Sequence, residues 1–353
     1  MQEMRPEPTV SVIMTNYNHG HFLPESLEAI CTQSRPPDEF LVIDDASTDN
    51  SVEVIESFKA RFPFIRLIRN ERNMGCVPNM QRLVDMATGD YLLEAAADDK
   101  VLPGLIETSL SLLRAHPGAG LCSALLGIMN EEGKERGFNK RTVICRQAQY
   151  LPASQCRDLF IRGEAWLNGC TCLYRRGALV EAGGFREQLG AYCDGLVQKV
   201  LALRHGVCFI PKPLGVWRRL ESSYSATTSG DLVQTTAILR YATSVMESEF
   251  ADAFPPKLRE LTKRLYAFWA LDEWIDGPAP HKAAEEAFDA IEAACPMRTA
   301  VDRFFATALR FTAGRYKIIA RVMLIGRLRL LVTALRTVAR NTSRSLRYSN
   351  TAF

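Results

Sequence analysis

What this chain of 353 residues lacks already removes several classes of protein. It has no apolar run of about 18 residues free of charge, so an ordinary membrane-spanning helix is not expected. Its start shows no basic region followed by an apolar core, so no signal peptide is read and a cytoplasmic location is expected. The ten cysteines contain no C-x-x-C spacing, and the closest pair, Cys170 and Cys172, flanks a single Thr. A zinc ribbon or disulfide scaffold therefore has no material; the thiols are expected to be reduced and mostly buried. Histidine is limited to five residues. Two of them, His19 and His21, share a loop with no Cys or Glu at ligand spacing, and are read as solvated or helix-capping. Phosphate cradles are missing too. No G-x-G-x-x-G follows the first apolar run and no G-x-x-x-x-G-K-[ST] occurs anywhere, which argues against a dinucleotide fold and a P-loop.

What is present is an ordinary globular composition, 47% apolar and 24% charged, enough for one large domain with an appendage or for two modest ones. The net charge of +3 hides an asymmetry. Residues 303–353 carry ten Arg, one Lys and no acid, a net of +11, so residues 1–302 carry −8 (3 − 11).

Over the first 130 residues strand and helix signals alternate. "TVSVIMT", "EFLVIDD", "IRLIRN" and "DYLLEAAA" are β-branched or apolar runs bounded by turn residues. Between and after them, "FLPESLEAICTQ", "NSVEVIESFKARF", "PNMQRLVDMA" and "LPGLIETSLSLLRAH" place apolar residues at helical spacing. The alternation predicts βαβ units: an α/β sandwich whose mostly parallel central sheet is covered on both faces. From about 152 to 225 the signals mix, with short runs such as "CTCLYRR", "GVCFIP" and "LGVWRR". Beyond 230 only helical segments follow. The expected domains are therefore 1–230, α/β, and 231–353, helical.

Ligands of an open parallel sheet bind outside the carboxyl ends of its strands. Four expected strand ends carry polar groups: Thr15-Asn16, Asp44-Asp45, the segment 70–73, and Asp98-Asp99. Acids after a strand often cap the next helix, and Asp49 is read that way. Two adjacent Asp pairs on one rim are different. They need a cation, a hydrogen-bonding ligand or raised pKa values. A nucleoside diphosphate with Mg²⁺ or Mn²⁺ satisfies that need, because such an ion takes one or two protein carboxylates and completes its shell with phosphate oxygens and water.

At these residues the chain resembles the inverting family-2 glycosyltransferases of the GT-A fold. "VSVIMTNYNHGHFLPESLEAICTQSRPPDEFLVIDDASTDNS" is similar to that family's nucleotide-binding half. "NMGCVPNMQRLVDMATGDYLLEAAADD" resembles the segment that ends in its metal-binding acids. "NGCTCLYRRGALVEAGGF" and "GAYCDGLVQKVLALRHG" resemble the acceptor loop and catalytic-base region. The resemblance spans roughly 9–226 and implies roles. Thr15 and Tyr17 line the nucleotide site, and Asp45 accepts from the base. Asp98 contacts ribose or sugar and Asp99 holds the divalent metal, Mn²⁺ or Mg²⁺. Asp194 is the general base, Arg218 sits near the pyrophosphate, and Trp217 stacks on or shields the sugar. The donor implied is a nucleotide-sugar, a UDP-sugar first. The acceptor implied is a glycan or lipid-linked precursor in polysaccharide or glycolipid synthesis. Two departures stand out: Ala96 and Leu220 occupy positions where the family often has Asp and His. Nucleotidyltransferases and catalytically weak sugar-nucleotide-binding relatives share this rim and remain alternatives.

The basic tail is a separate feature. At 100° per residue, Arg329, Arg336, Arg340, Arg344 and Arg347 fall within an arc of about 80°, with Leu328, Leu331, Leu335 and Val338 largely off it. A basic amphipathic helix over 315–347 suits an anionic membrane surface on the inner face. Packing on the body or on a second copy of the chain is the alternative. No nucleic-acid recognition motif accompanies the charge.

Overall fold

The computed structural model describes residues 7–138, 142–163, 166–220, 223–224, 231–276, 290 and 293–294. The chain divides into two units, residues 1–227 and 228–353.

The first unit opens with the alternation that the sequence predicts. Strand β1 (Val10–Asn16) leads to helix α1 (Leu23–Cys31), then β2 (Glu39–Asp44), α2 (Ser51–Arg61), β3 (Ile65–Arg69), α3 (Cys76–Met86) and β4 (Tyr91–Ala96). These elements form where the periodicity places them. Helix α1 buries Leu23, Ser26, Leu27, Ile30 and Cys31, one stripe at i, i+3, i+4, i+7 and i+8, and carries Pro24 in its first turn. Strands β1 to β4 pair in parallel in the order β3-β2-β1-β4. Alternate side chains such as Val12, Val42 and Leu93 go to one core face with Leu27, Ile55 and Leu105.

A short β5 (Lys100–Val101) and α4 (Leu105–Ala115) follow, then β6 (Leu121–Met129), β7 (Glu135–Phe138), β8 (Gln149–Leu151) and α5 (Ala153–Ile161). A 3₁₀ turn, Gly169–Thr171, precedes β9 (Leu173–Arg175) and α6 (Arg176–Glu181), and another, Glu187–Tyr192, precedes α7 (Cys193–His205) and β10 (Val207–Arg218). The ten strands form one mixed sheet ordered β3-β2-β1-β4-β9-β6-β10-β5, with β7 on β6 and β8 on β10. The insertion of antiparallel β9 between β4 and β6 separates two parallel blocks.

Two details of the 152–225 segment emerge only in the fold. "GVCFIP" and "LGVWRR" are not separate strands but one, β10, which carries register shifts at Ile210–Pro213 and Pro213–Gly215. Pro211 and Pro213 cannot donate to a ladder, so the strand bulges past them. Cys170 and Cys172 do not alternate along a strand. Cys170 lies in the 3₁₀ turn, and buried Cys172 caps it with its thiol on the Asn168 carbonyl, 3.2 Å away. The described cysteines are free thiols.

In the second unit the described helices are α8 (Leu232–Glu247) and α9 (Pro256–Asp276). Asp231 caps α8 by accepting from the amides of Val233 and Gln234. The tail 303–353 lies outside the described residues. Among those residues no helix is long and apolar enough to cross a membrane.

Candidate functional site

Parallel pairing brings the ends of β1, β2, β3 and β4 to one rim. Thr15 lies beside Ala96 and Asn16 beside Asp44. At the β2 end both acids are buried and occupied. Asp44 accepts from Asn16 Nδ2 at 2.8 Å and from the Ser47 amide at 3.0 Å. Asp45 accepts from Asn70 Nδ2 at 2.7 Å and from the amides of Met74 and Gly75 at 2.8 and 2.9 Å. Gly75 reaches it with φ +91°, a backbone region that favours glycine, and heads α3. Asp45 therefore ties the loop after β3 to the rim. Among the described residues, its Oδ2 accepts from the Gly75 amide alone. Thr15 Oγ1 rests 3.4 Å from Cys76 Sγ, while Tyr17 projects from the rim with 45% of its surface exposed. Asp49 is not the cap residue of α2, a place Asn50 takes; it accepts from the Ser51 amide at the helix start and from the Gly20 amide, and so ties the loop after β1 to that start.

The second acid pair ends β4. The Asp98 carboxylate has no hydrogen-bond or ion-pair partner among the described residues; only its backbone carbonyl is engaged. Asp99 is 8% exposed and accepts from the Cys170 thiol at 2.6 Å and the Arg218 amide at 2.8 Å. Burial, and then the neighbouring Asp98 charge, push its carboxyl up to about 7 against the opposing help of Cys170 and Arg218. This is the electrostatic condition a divalent cation would relieve. Among the described residues no three His, Cys, Asp or Glu side chains converge as a complete metal site. The rim thus fits an ion held by one or two carboxylates and finished by phosphate oxygens.

Arg218, expected near the pyrophosphate, is engaged by groups of the protein itself. Its guanidinium is 4% exposed and stacks over Phe22 at 4.7 Å. Its Nε donates to the Asp98 carbonyl at 2.9 Å, one terminal nitrogen to the Glu131 carbonyl at 2.7 Å, and the other to Glu25. Every arm of the fork is used to fasten the β4 and β10 ends to α1. Trp217, half-buried beside it, lies under the exposed Arg219, whose guanidinium is 5.6 Å from the indole. Leu220 is buried.

Asp194 reaches the same place from the far side. It sits in the first turn of α7, with Tyr192 as the cap residue, and accepts from the Gly195 amide at 2.6 Å. Burial raises its pKa; the amides of that helical turn and the Lys199 charge oppose the rise. A Cβ added at Gly169 would lie 2.7 Å from Asp194 Oδ2. Gly169 is bonded to Cys170, whose thiol is on Asp99. One turn of backbone thus separates the metal-type acid from the base-type acid.

Sequence reasoning missed Glu94. It lies on β4 opposite Ile13 of β1, and its Oε2 is buried without a partner. Burial, and then the charge of Asp194, raise its carboxyl to about 8. The signal was available: one acid inside an otherwise apolar strand.

Comparison with known proteins agrees with this geometry. Residues 11–182 match the family model "Glycosyl transferase family 2". An uncharacterized protein of Mycobacterium tuberculosis, MT1568, is 28% identical over 224 residues, covering 62% of this chain and 69% of its own. The uncharacterized glycosyltransferase YibD of Escherichia coli is 35% identical over 103 residues, covering 29% of this chain and 30% of its own. Among solved structures, a mannosyltransferase from Pyrobaculum calidifontis in complex with GDP-Man and Mn²⁺ superposes with a TM-score of 0.52 at 20% identity, over 93% of this chain and 87% of its own. Staphylococcus aureus TarS, residues 1–349, in complex with UDP-GlcNAc gives a TM-score of 0.52 at 15% identity, over 90% and 92% of the two chains. At such identities these two structures bear on fold alone, and the fold they share is GT-A.

Proposed function

Because residues 11–182 make the first unit of this chain a glycosyl transferase family 2 domain, we propose that it moves a sugar, with inversion, from a nucleotide-sugar donor to an acceptor hydroxyl. The observation that carries the proposal is the rim itself. An adjacent pair of acids, one partnerless and one raised by burial, stands one backbone turn from a carboxylate at a helix N-terminus.

Each residue then has a task. Tyr17 offers an exposed ring, and Thr15 a hydroxyl, to the nucleoside. Asp45 holds the Asn70 and Gly75 loop in place and keeps an acceptor for a base N–H. Asp98 takes a hydroxyl of ribose or sugar. Asp99 would hold Mn²⁺ or Mg²⁺, an ion that would supply positive charge to the diphosphate. Asp194 accepts the acceptor's proton as its oxygen attacks the anomeric carbon, and the C–O bond to the diphosphate breaks on the opposite face. One in-line step of this kind inverts the centre and needs no nucleophile from the enzyme. Trp217 shields the sugar from water. Arg218 keeps the acid pair aimed, holding Asp98 by its carbonyl and Asp99 through its amide.

The donor is a UDP-sugar or a GDP-sugar. The acceptor is a glycan or lipid-linked precursor of an envelope polysaccharide or glycolipid, reached from an anionic membrane surface through 315–347. Thermal denaturation of the full chain with a panel of nucleotide-sugars, with and without Mn²⁺, identifies the donor, since a ligand selective for the folded form raises the melting temperature. With that donor, release of nucleoside diphosphate is expected to fall by about a hundredfold or more in Asp194→Asn while the metal-dependent stabilisation persists. Unchanged release in this variant would remove Asp194 as the base. Stabilisation without release in the parent protein would instead favour a binding protein of the same fold.

A further inference from the structure

Gln198 lies one turn along α7 from Asp194. Its amide nitrogen donates to the Tyr174 hydroxyl at 2.9 Å and to Asp194 Oδ2 at 3.4 Å. Tyr174, on β9, is fully buried, and its hydroxyl interacts with the Glu94 carboxyl, favouring the charged form against the larger effect of burial. The second Glu94 oxygen has no partner. Three elements that are far apart in sequence thus contribute one unbroken line: Glu94 on β4, Tyr174 on β9, Gln198 and Asp194 on α7. A buried carboxyl with one oxygen bonded and the other bare is poorly suited to carry charge. A neutral acid in that position leaves Asp194 as the charged member of the Glu94–Asp194 pair.

We propose that Glu94, as a neutral acid acting through Tyr174 and Gln198, positions Asp194 and leaves the charge of the Glu94–Asp194 pair on Asp194. This rests on the reading of Asp194 as the base. The donor arm of Gln198 holds Oδ2, and the Gly195 amide holds Oδ1, so the carboxylate plane is set from both sides. Other groups near Glu94 shape the same field: Asp194 and Cys193 from α7, Tyr174 from β9, Cys170 and Cys172 from the turn before it, Cys76 from α3, and Asp98 and Asp99 at the end of β4. Most of them are acids or thiols, and Lys199, whose charge acts on Asp194, has its own pKa lowered by burial to about 8.

The sign of the pH effect follows. Glu94 has an ordinary value of 4.5 and sits at about 8 in the folded chain. Between those values the folded state holds a proton that the unfolded state has released, so the stability due to Glu94 is lost as pH rises through the window. Glu94→Gln mimics the protonated acid and removes that dependence. The experiment is a set of thermal melts of the full chain from pH 5 to pH 8.5 for the parent, Glu94→Gln, Asp194→Asn and the double variant. The advantage of Glu94→Gln over the parent is expected to grow with pH, by about a thousandfold in the folded-to-unfolded ratio, and to level off near 8. In the Asp194→Asn background it is expected to level off at lower pH, because the charge that raised Glu94 is gone. An advantage that does not change with pH overturns the proposal. So does the same levelling point in both backgrounds, which would uncouple the two acids. Retained turnover in Asp194→Asn would instead overturn the base assignment while leaving this thermodynamic cycle intact.

Discussion

Ala46 adopts φ +62° immediately after Asp45. An L-residue with a Cβ pays about 1 kcal/mol or more in this left-handed region, and glycine does not. The strain is tolerated because the turn directs Asp45 onto the Met74 and Gly75 amides. Ala46→Gly is therefore expected to stabilise the folded chain by about 1 kcal/mol in urea denaturation. No gain would mean that the freedom added to the unfolded chain cancels the relief. Asp98 and Asp99 were visible in the sequence as an adjacent pair at a strand end. Glu94 was not singled out, because its meaning depends on Tyr174 and Gln198, eighty and more positions away. A charged side chain in an apolar strand is only an anomaly until the neighbour that explains it is known.

Among the elements, β10 illustrates where local reading fails. It reads as two short runs in the sequence, yet pairing with β6 continues on both sides of Pro211 and Pro213. Tertiary pairing overrode the local break because only two ladder donors are lost, at a bulge. The end of β10 delivers Arg218, whose guanidinium replaces water for two backbone carbonyls and meets Glu25 of α1. From sequence it resembles a phosphate ligand. From structure its fork is filled, so Arg218→Met is expected to cost about 3 kcal/mol of stability in urea denaturation, through buried acceptors left unpaired. A variant as stable as the parent, yet unable to bind a nucleotide-sugar with Mn²⁺, would return the residue to the diphosphate. Helices α1 to α4 were legible from their apolar spacing, and strands β1 to β4 as short apolar or β-branched runs bounded by turn residues. The 3₁₀ turn at 169–171 was not, since three residues carry no period.

On the scale of the molecule, the boundary between the two units falls at 227/228, where strand signals give way to helical ones in the sequence. Residues 1–227 contain every candidate site residue. A chain cut to 1–227 is expected to retain Mn²⁺-dependent nucleotide-sugar stabilisation and to lose the binding of the full chain to vesicles containing anionic lipid, measured by co-sedimentation at low salt. Binding of the full chain that resists high salt would argue against an electrostatic surface. Vesicle binding by the short form would place the contact outside the tail.

The amino-acid order alone determined the alternation of strand and helix, the sheet rim, the acid doublet on it and the asymmetry of charge. All of these follow from short-range periodicity and from composition. Only the packed structure decided which acids share a pocket, which arginine is already spent, and that a thiol, a tyrosine and a glutamine stand between them. Those facts depend on contacts between residues distant along the chain, where burial removes water and makes each neighbour's charge count.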